Sequence, residues 1–355
     1  VWLLLVLLAA ARAHGGERPR NILLFIGDGM GVSQITAGLV VEGRLHLERF
    51  PTVGLLKTHS LHDLVTDSAA GATAMATGRK TLNQALSVTP EGRPIPTVVE
   101  YAEAAGKHTG IVATSSVTHA TPAAFLVHVD HRDRKTEIAR QIAESGVDVL
   151  FGGGWSYFVP AGVPGSGRDD GLDLVAVLQR RMTVARTPEE FAALPEDGAA
   201  AALLAPGHLA SAGERRPSLA QMTRKAIGIL SRGPKGFFLM VEGSQIDWAG
   251  HDKDGGWLLE EMADFDDAVG AGLDYAEADG HTLVVVTADH ETGGLALLDG
   301  NVERRRITRH RFATDEHTAQ MVPVFAFGPG SGAFTGIRDN TAVGAALIRY
   351  LSPDG

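Results

Sequence analysis

Ser68 sits in a run of small residues, Thr66-Asp67-Ser68-Ala69-Ala70-Gly71-Ala72. Asp67 and Ser68 are strong helix starters, because their side-chain oxygens accept from the free N–H groups of a first turn. The alanines that follow propagate a helix, and Gly78 is placed to end it. A serine at a helix start faces exposed N–H groups and the positive end of the dipole, a setting that favours an anion. The same features also describe an ordinary capping serine, so this stretch alone does not separate nucleophile from cap.

Four more candidates share one placement. Asp28 follows the apolar run Asn21 to Ile26, Glu242 follows Phe237 to Val241, and Asp289 and His290 come just after Thr282 to Val286. In parallel α/β sheets ligands bind beyond the carboxyl ends of the strands. Parallel strands would therefore deliver all four side chains to one edge. Carboxylates gathered there repel one another unless cations are bound. Carboxylate with imidazole suits zinc; carboxylate with hydroxyl and water suits magnesium. Asp247 and His251, spaced i, i+4 after Glu242, share one face of a helical turn, although by themselves they would pass for a surface pair. Thr121 could add a hydroxyl. Arg132 carries a planar fork able to grip two phosphate oxygens, but it stands in the charged run Asp130 to Lys135, where a surface role is equally natural. Spacing does not select His317, in Glu316-His317-Thr318. His46, His59, His62, His108, His208, His281 and His310 read as solvated or core histidines.

The elements that would hold these residues follow one grammar. Apolar runs ending in glycine or acid recur at Asn21 to Ile26, Thr109 to Ala113, Val147 to Phe151, Phe237 to Val241, Thr282 to Val286 and Val324 to Phe327. Each reads as a strand buried on both faces. Helical patterns lie between them, at Pro96 to Ala105, Arg134 to Ser145, Leu219 to Ser231 and Trp257 to Ala278. The fold class is α/β, a mostly parallel central sheet with helices on both faces. Residues 161–216, rich in Gly, Ala, Pro and charge, with a weak helix at Asp173 to Arg181, read as a variable insertion or lid on one catalytic domain spanning 21–355.

Composition sets limits. The 355 residues carry a net charge of −10, which argues against a nucleic-acid-binding surface and calls for local positive charge around any phosphorylated substrate. There is no cysteine, so thiolate metal sites, thiol catalysis and disulfides are excluded for this sequence. Residues 1–13 resemble the apolar core of a signal peptide with an A-x-A cleavage site, without the charged segment that normally precedes it. The run is too short to span a bilayer, and no membrane span is expected in the mature protein.

Taken together, Phe25-Ile26-Gly27-Asp28-Gly29-Met30-Gly31, Thr66-Asp67-Ser68-Ala69-Ala70, His119-Ala120-Thr121-Pro122-Ala123, Val241-Glu242-Gly243 with Asp247 and His251, Thr287-Ala288-Asp289-His290 and Glu316-His317-Thr318 resemble the motifs of the alkaline phosphatase family. They occur in the family's order from about Asn21 to the end of the chain. The resemblance implies a three-layer sandwich and a phosphate monoesterase working through phosphoserine at Ser68, with two zinc ions and one magnesium. It implies Asp247, His251 and His317 for one zinc, and Asp28, Asp289 and His290 for the other. Asp28, Thr121 and Glu242 would hold magnesium, with Arg132 and the Ala69 N–H on phosphate and Asp67 beside the nucleophile. Some bacterial members have Asp where this chain has His119 and Lys where it has Trp248. The histidine opens the third site to zinc or cobalt, and the missing lysine removes positive charge near phosphate. The resemblance further implies small phosphate monoesters as substrates and a homodimer, and with the leader an exported protein, periplasmic or secreted. Two readings compete: a related two-metal phosphodiesterase or sulfatase, and a non-catalytic exported metal- or phosphate-binding protein, which would not need Ser68.

Overall fold

A computed structural model describes residues 18–352. The leader expected at residues 1–13 lies outside the described residues. The strands in chain order are β1 (Asn21–Gly27), β2 (Thr52–Lys57), β3 (His108–Ser116), β4 (Val149–Gly153), β5 (Met182–Ala185), β6 (Ala199–Leu203), β7 (Phe237–Gly243), β8 (Thr282–Thr287), β9 (Glu291–Thr292), β10 (Leu295–Asn301), β11 (Arg306–Phe312), β12 (His317–Thr318), β13 (Val322–Phe327) and β14 (Gly336–Asp339). The helices are α1 (Val32–Glu42), α2 (Ser68–Thr77), α3 (Val98–Ala104), α4 (Ala120–Ala124), α5 (Lys135–Glu144), α6 (Leu174–Gln179), α7 (Pro188–Ala192), α8 (Leu219–Leu230), α9 (Gln245–His251), α10 (Gly255–Asp279) and α11 (Thr341–Leu351).

Ten strands form one sheet in the order β14-β2-β13-β8-β1-β7-β3-β4-β6-β5. At its centre β1 pairs in parallel with both β7 and β8, and all three are buried along their whole length. Continuous apolar strands of this kind need cover on both faces. Leu23 and Phe25 point at α10, where a Cβ on Gly272 would sit 2.7 Å from the Phe25 ring. Phe238, on the other face, stacks against Phe125 at 6.2 Å. Helices α8 and α10 pack together on one layer; α2 packs with α4 and α11 in the other. The expected mostly parallel α/β sheet is the observed architecture.

Three expectations are corrected. The run at Val324 to Phe327 does form a strand, but β13 is antiparallel to β8 and β2, the one reversed strand of the ten. Its glycine-marked end therefore points away from the edge carrying Asp28, and its entrance lies on that edge. Strands β2, β5, β6 and β14 were not foreseen. Residues 161–216 are more than surface elaboration, since β5 and β6 extend the main sheet in parallel beyond β4. Ala200, Ala201 and Ala202 are fully buried there. An alanine run reads as helix by propensity, and tertiary burial overrides that here. Among the described residues no helix is long and apolar enough to cross a membrane.

Candidate active site

Helix α2 begins as its sequence dictates. Asp67 caps it, accepting from the Ala70 N–H at 3.0 Å, and Gly78 closes it in the left-handed conformation. With Ala70 capped, the amides of Ser68 and Ala69 belong to the first turn and lack helical carbonyl partners. The second oxygen of Asp67 accepts from the Gln84 N–H at 3.1 Å and from Arg132 Nη1 at 3.1 Å. One carboxylate thus fixes both the serine's helix and the arginine. Arg132 Nη2 in turn donates to His119 Nε2 at 3.1 Å.

The strand-end residues meet at Ser68. Its Oγ lies 3.4 Å from His290 Nε2. The same nitrogen stands 3.4 Å from Asp28 Oδ1 and 3.2 Å from Asp289 Oδ2, yet neither oxygen accepts a hydrogen bond. The reason is the tautomer. Thr292 Oγ1 donates to Asp247, so it accepts from His290 Nδ1 at 3.2 Å, and that nitrogen carries the ring proton. His290 Nε2 is left with a lone pair aimed at carboxylate lone pairs.

A second fan of acceptors lies alongside. His251 Nδ1 donates to the Asp315 carbonyl at 2.5 Å and His317 Nδ1 to the Thr66 carbonyl at 2.9 Å. Carbonyls cannot donate, so both Nε2 atoms point lone pairs inward. They stand 3.2 Å apart and 3.3 and 3.5 Å from Asp247 Oδ1. His317 also stacks on His290 with ring centroids 3.5 Å apart. Backbone carbonyls that orient imidazoles in this way are the usual outer support of metal ligands.

Electrostatics report the same crowding. Burial, reinforced by Asp289 and Asp247, holds the Asp28 carboxyl well above its usual range. Burial pushes Asp289 up to about 6 and Glu242 up to about 7. Burial also pushes Asp247 upward, but the His251 hydrogen bond and the neighbouring imidazoles outweigh it and hold it below the usual carboxylate range. Without a cation between them, a proton taken up at His251 Nε2 is donated to Asp247, and this hydrogen bond raises His251 to about 9. Burial keeps His290 and His119 well below the usual imidazole range.

Buried side-chain atoms without a partner among the described residues include both oxygens of Asp28, Asp289 Oδ2, Glu242 Oε1, Thr121 Oγ1 and His119 Nδ1. Leaving so many buried polar groups unmade costs about 1–3 kcal/mol each. Divalent cations fit this arrangement. Donor atoms converge within 4.8 Å in three groups: Asp247, His290 and His317; Asp28, Asp289 and His290; and Asp28, His119 and Glu242. Gly29 makes the first turn possible, with φ +74° and no room for a Cβ, which would stand 2.7 Å from Asp247 Cα.

Comparison with known proteins settles the family. Residues 19–307 match the family described as Alkaline phosphatase. The chain belongs to the alkaline phosphatase family. Alkaline phosphatase 4 of Bacillus subtilis is 38% identical over 97% of this chain and 91% of its own length. The solved alkaline phosphatase of the Antarctic bacterium TAB5 is 39% identical, with a TM-score of 0.86 over 94% of this chain and 98% of that one. A variant of the TAB5 enzyme with glutamate in place of a histidine, 38% identical at the same TM-score and coverage, carries magnesium in what is called its M3 site. This alkaline phosphatase is accordingly an enzyme, a phosphoric monoester hydrolase.

In this alkaline phosphatase the contacts above link Asp28, Asp67, His119, Arg132, Glu242, Asp247, His251, Asp289, His290 and His317 into one cluster that includes Ser68, and the Trp248 ring lies 5.9 Å from that of His119. Thr121 is buried with its hydroxyl unpartnered. Two residues were missed. Thr292 sets the His290 tautomer, and its position two residues on, the same-face spacing of a strand, was a usable signal. His208, set aside as an ordinary histidine, packs its ring 4.5 Å from Trp248 and 5.5 Å from His119. It lies in the turn after β6, where no pattern announced it.

Proposed function

We propose that the chain hydrolyses small phosphate monoesters in two displacements at Ser68, through a phosphoserine. The observation that carries this is the Ser68 hydroxyl standing 3.4 Å from His290 Nε2, against two convergent sets of acceptors. Asp247, His251 and His317 would hold one zinc, and Asp28, Asp289 and His290 the other. Asp28, Thr121 and Glu242, an oxygen-only set, would hold magnesium. His119 Nε2 is engaged by Arg132, so its ring proton sits on the unpartnered Nδ1 and supports that third site as a donor. A flipped ring would make His119 a ligand and turn the preference to zinc or cobalt.

When bound, such cations neutralise phosphate charge and lower the pKa of coordinated hydroxyls and water. The chain supplies the rest. The first turn of α2, with the Ala69 N–H, and the Arg132 fork hold phosphate oxygens, and Asp67 keeps both in register. Ser68 Oγ attacks phosphorus and the ester oxygen leaves as the alcohol. Water then attacks the phosphoserine, returning the serine hydroxyl and releasing inorganic phosphate.

The test is release of p-nitrophenol from p-nitrophenyl phosphate at pH 7 to 10, with added Zn²⁺ and Mg²⁺ and then with chelator. Ser68→Ala should lose on the order of 10³-fold in kcat or more. A folded, metal-loaded protein that does not turn over the monoester, or an equally active Ser68→Ala, refutes the proposal. Faster turnover of a phosphodiester or sulfate ester would move the reading to that class. We further infer export from the apolar run at residues 1–13 and a homodimer from the family. Cell fractionation and sedimentation test these; a cytoplasmic or monomeric protein would refute them.

A further inference from the structure

A cleft of about 430 Å³ has Arg132 and His119 in its wall, while Ser68 is not among its lining residues. Five separate segments wall it: Ser116 to His119 at the end of β3, Arg132 to Lys135 at the start of α5, Ser156 and Tyr157 after β4, Gly165, and Pro206 to His208 after β6. Its size suits a sugar or another small organic group. Of its lining residues, the reaction at Ser68 engages Arg132 and His119, and the rest are left for another group.

Its walls carry the donors Arg132, Lys135 and His208. Lys135 is half-buried, and its Nζ makes one long contact, 3.3 Å to the Thr118 carbonyl. Among the described residues it forms no salt bridge. Burial pushes this ammonium down to about 8, with Arg132 adding to the effect and Asp133 only partly offsetting it. A cation that is partly desolvated and unpaired gains from any anion placed beside it. His208 accepts the Ser116 N–H at its Nδ1, at 3.1 Å, and burial lowers the ring below the usual imidazole value. Its proton is therefore on Nε2, a donor that no group among the described residues uses. Asp133 is the one acid on the wall, and its side chain is 76% exposed. In a chain of net charge −10 this is a local positive patch sharing a wall, Arg132, with the reacting phosphate.

The wall that carries His208 is fixed. Gln245 Nε2 donates to the Leu209 carbonyl at 2.9 Å and to Ala210 at 3.3 Å. Arg215, fully buried, is held by Glu261 and Asp264 at 2.7 Å each. The segment carrying His208 is thereby tied to α9 and α10.

We propose that this cleft is a subsite for a second phosphate group carried by the alcohol part of the substrate, with Lys135 as its main contact and His208 as a neutral donor. The proposal rests on Ser68 and Arg132 receiving the reacting phosphate. The enzyme then discriminates in favour of bisphosphorylated small molecules over their monophosphates.

The experiment measures binding by calorimetry to metal-loaded Ser68→Ala, using fructose 1,6-bisphosphate and fructose 6-phosphate. Hydrogen bonds to a charged group commonly contribute about tenfold or more in affinity, so a preference of that size is expected for the bisphosphate. Lys135→Gln should bring the ratio of the two affinities close to one, Lys135→Glu should invert it, and Lys135→Arg should restore it. Hydrolysis of the monophosphate by the unmutated chain reports separately on the Ser68 reading. An enzyme active on the monophosphate that shows no preference, or one whose ratio is unmoved in Lys135→Gln and Lys135→Glu, overturns the subsite alone. Failure of both compounds to bind overturns it together with the assignment of Ser68 and Arg132.

Discussion

Removing the metals should expose how strongly the site opposes its own fold, and Glu242 is the cleanest probe. Its carboxyl is fully buried at the end of β7, with Oε2 accepting from Ser115 Oγ at 3.2 Å and Oε1 unpartnered. Burial first, and the charge of Asp289 after it, push it up to about 7. In the unfolded chain a glutamate titrates near 4.3. The metal-free native state therefore binds more protons than the unfolded state between about pH 4.5 and 7, so its stability is fully present below that window and falls as pH rises through it. Set against the ordinary value of 4.5, a folded value of about 7 is worth on the order of 3 kcal/mol. Asp289, raised to about 6 mainly by burial, adds a loss of similar sign over a slightly lower window. Glu242→Gln keeps the shape and cannot ionise. In excess chelator it should match the parent chain at pH 5 and exceed it by about 2–3 kcal/mol at pH 8. With Zn²⁺ and Mg²⁺ present the order should reverse, because a ligand has been lost. Urea unfolding followed by fluorescence at pH 5, 6, 7 and 8, with and without chelator, reads both effects. A Glu242→Gln protein less stable than its parent at every pH in chelator, or an advantage independent of pH, would refute the reasoning.

Two further outcomes follow from the same geometry. Arg132→Ala removes the fork held by Asp67 and His119 and should lower kcat/KM for p-nitrophenyl phosphate by about 10²-fold, with Lys recovering only part; a change under twofold would remove Arg132 from the phosphate site. Trp248→Lys places an ammonium beside His119 and His208 and should tighten inhibition by inorganic phosphate about tenfold, slowing product release; unchanged inhibition would show that Trp248 does not set phosphate affinity.

What the sequence disclosed, and what it hid, follows from strand direction. Asp28, Glu242 and Asp289 were legible because each terminates a buried apolar run, and in a parallel sheet every such terminus arrives at the same edge. Ser68 was legible as a helix start, and the packing of Asp289 against its helix, with a Cβ on Gly71 only 3.0 Å from Asp289 Cβ, explains the small residues around it. His317 failed the same rule for a physical reason. It precedes its strand instead of following it, and only because β13 is antiparallel does the entrance of that strand coincide with the exits of the others. Between His290 and His317 the chain spends β10 and β11 on an exposed hairpin before β12 pairs with β9, which sets His317 opposite Thr292. That pairing, and not any local pattern, places the last histidine over the site. His208 was hidden more deeply. It hangs on β6, a strand spelled almost wholly in alanine, and its position depends on Gln245 and Arg215 gripping the chain that follows. A donor held in place by tertiary contacts leaves no period in the sequence, so the part of the site that would choose among phosphate esters is the part least written in the motifs that perform the chemistry.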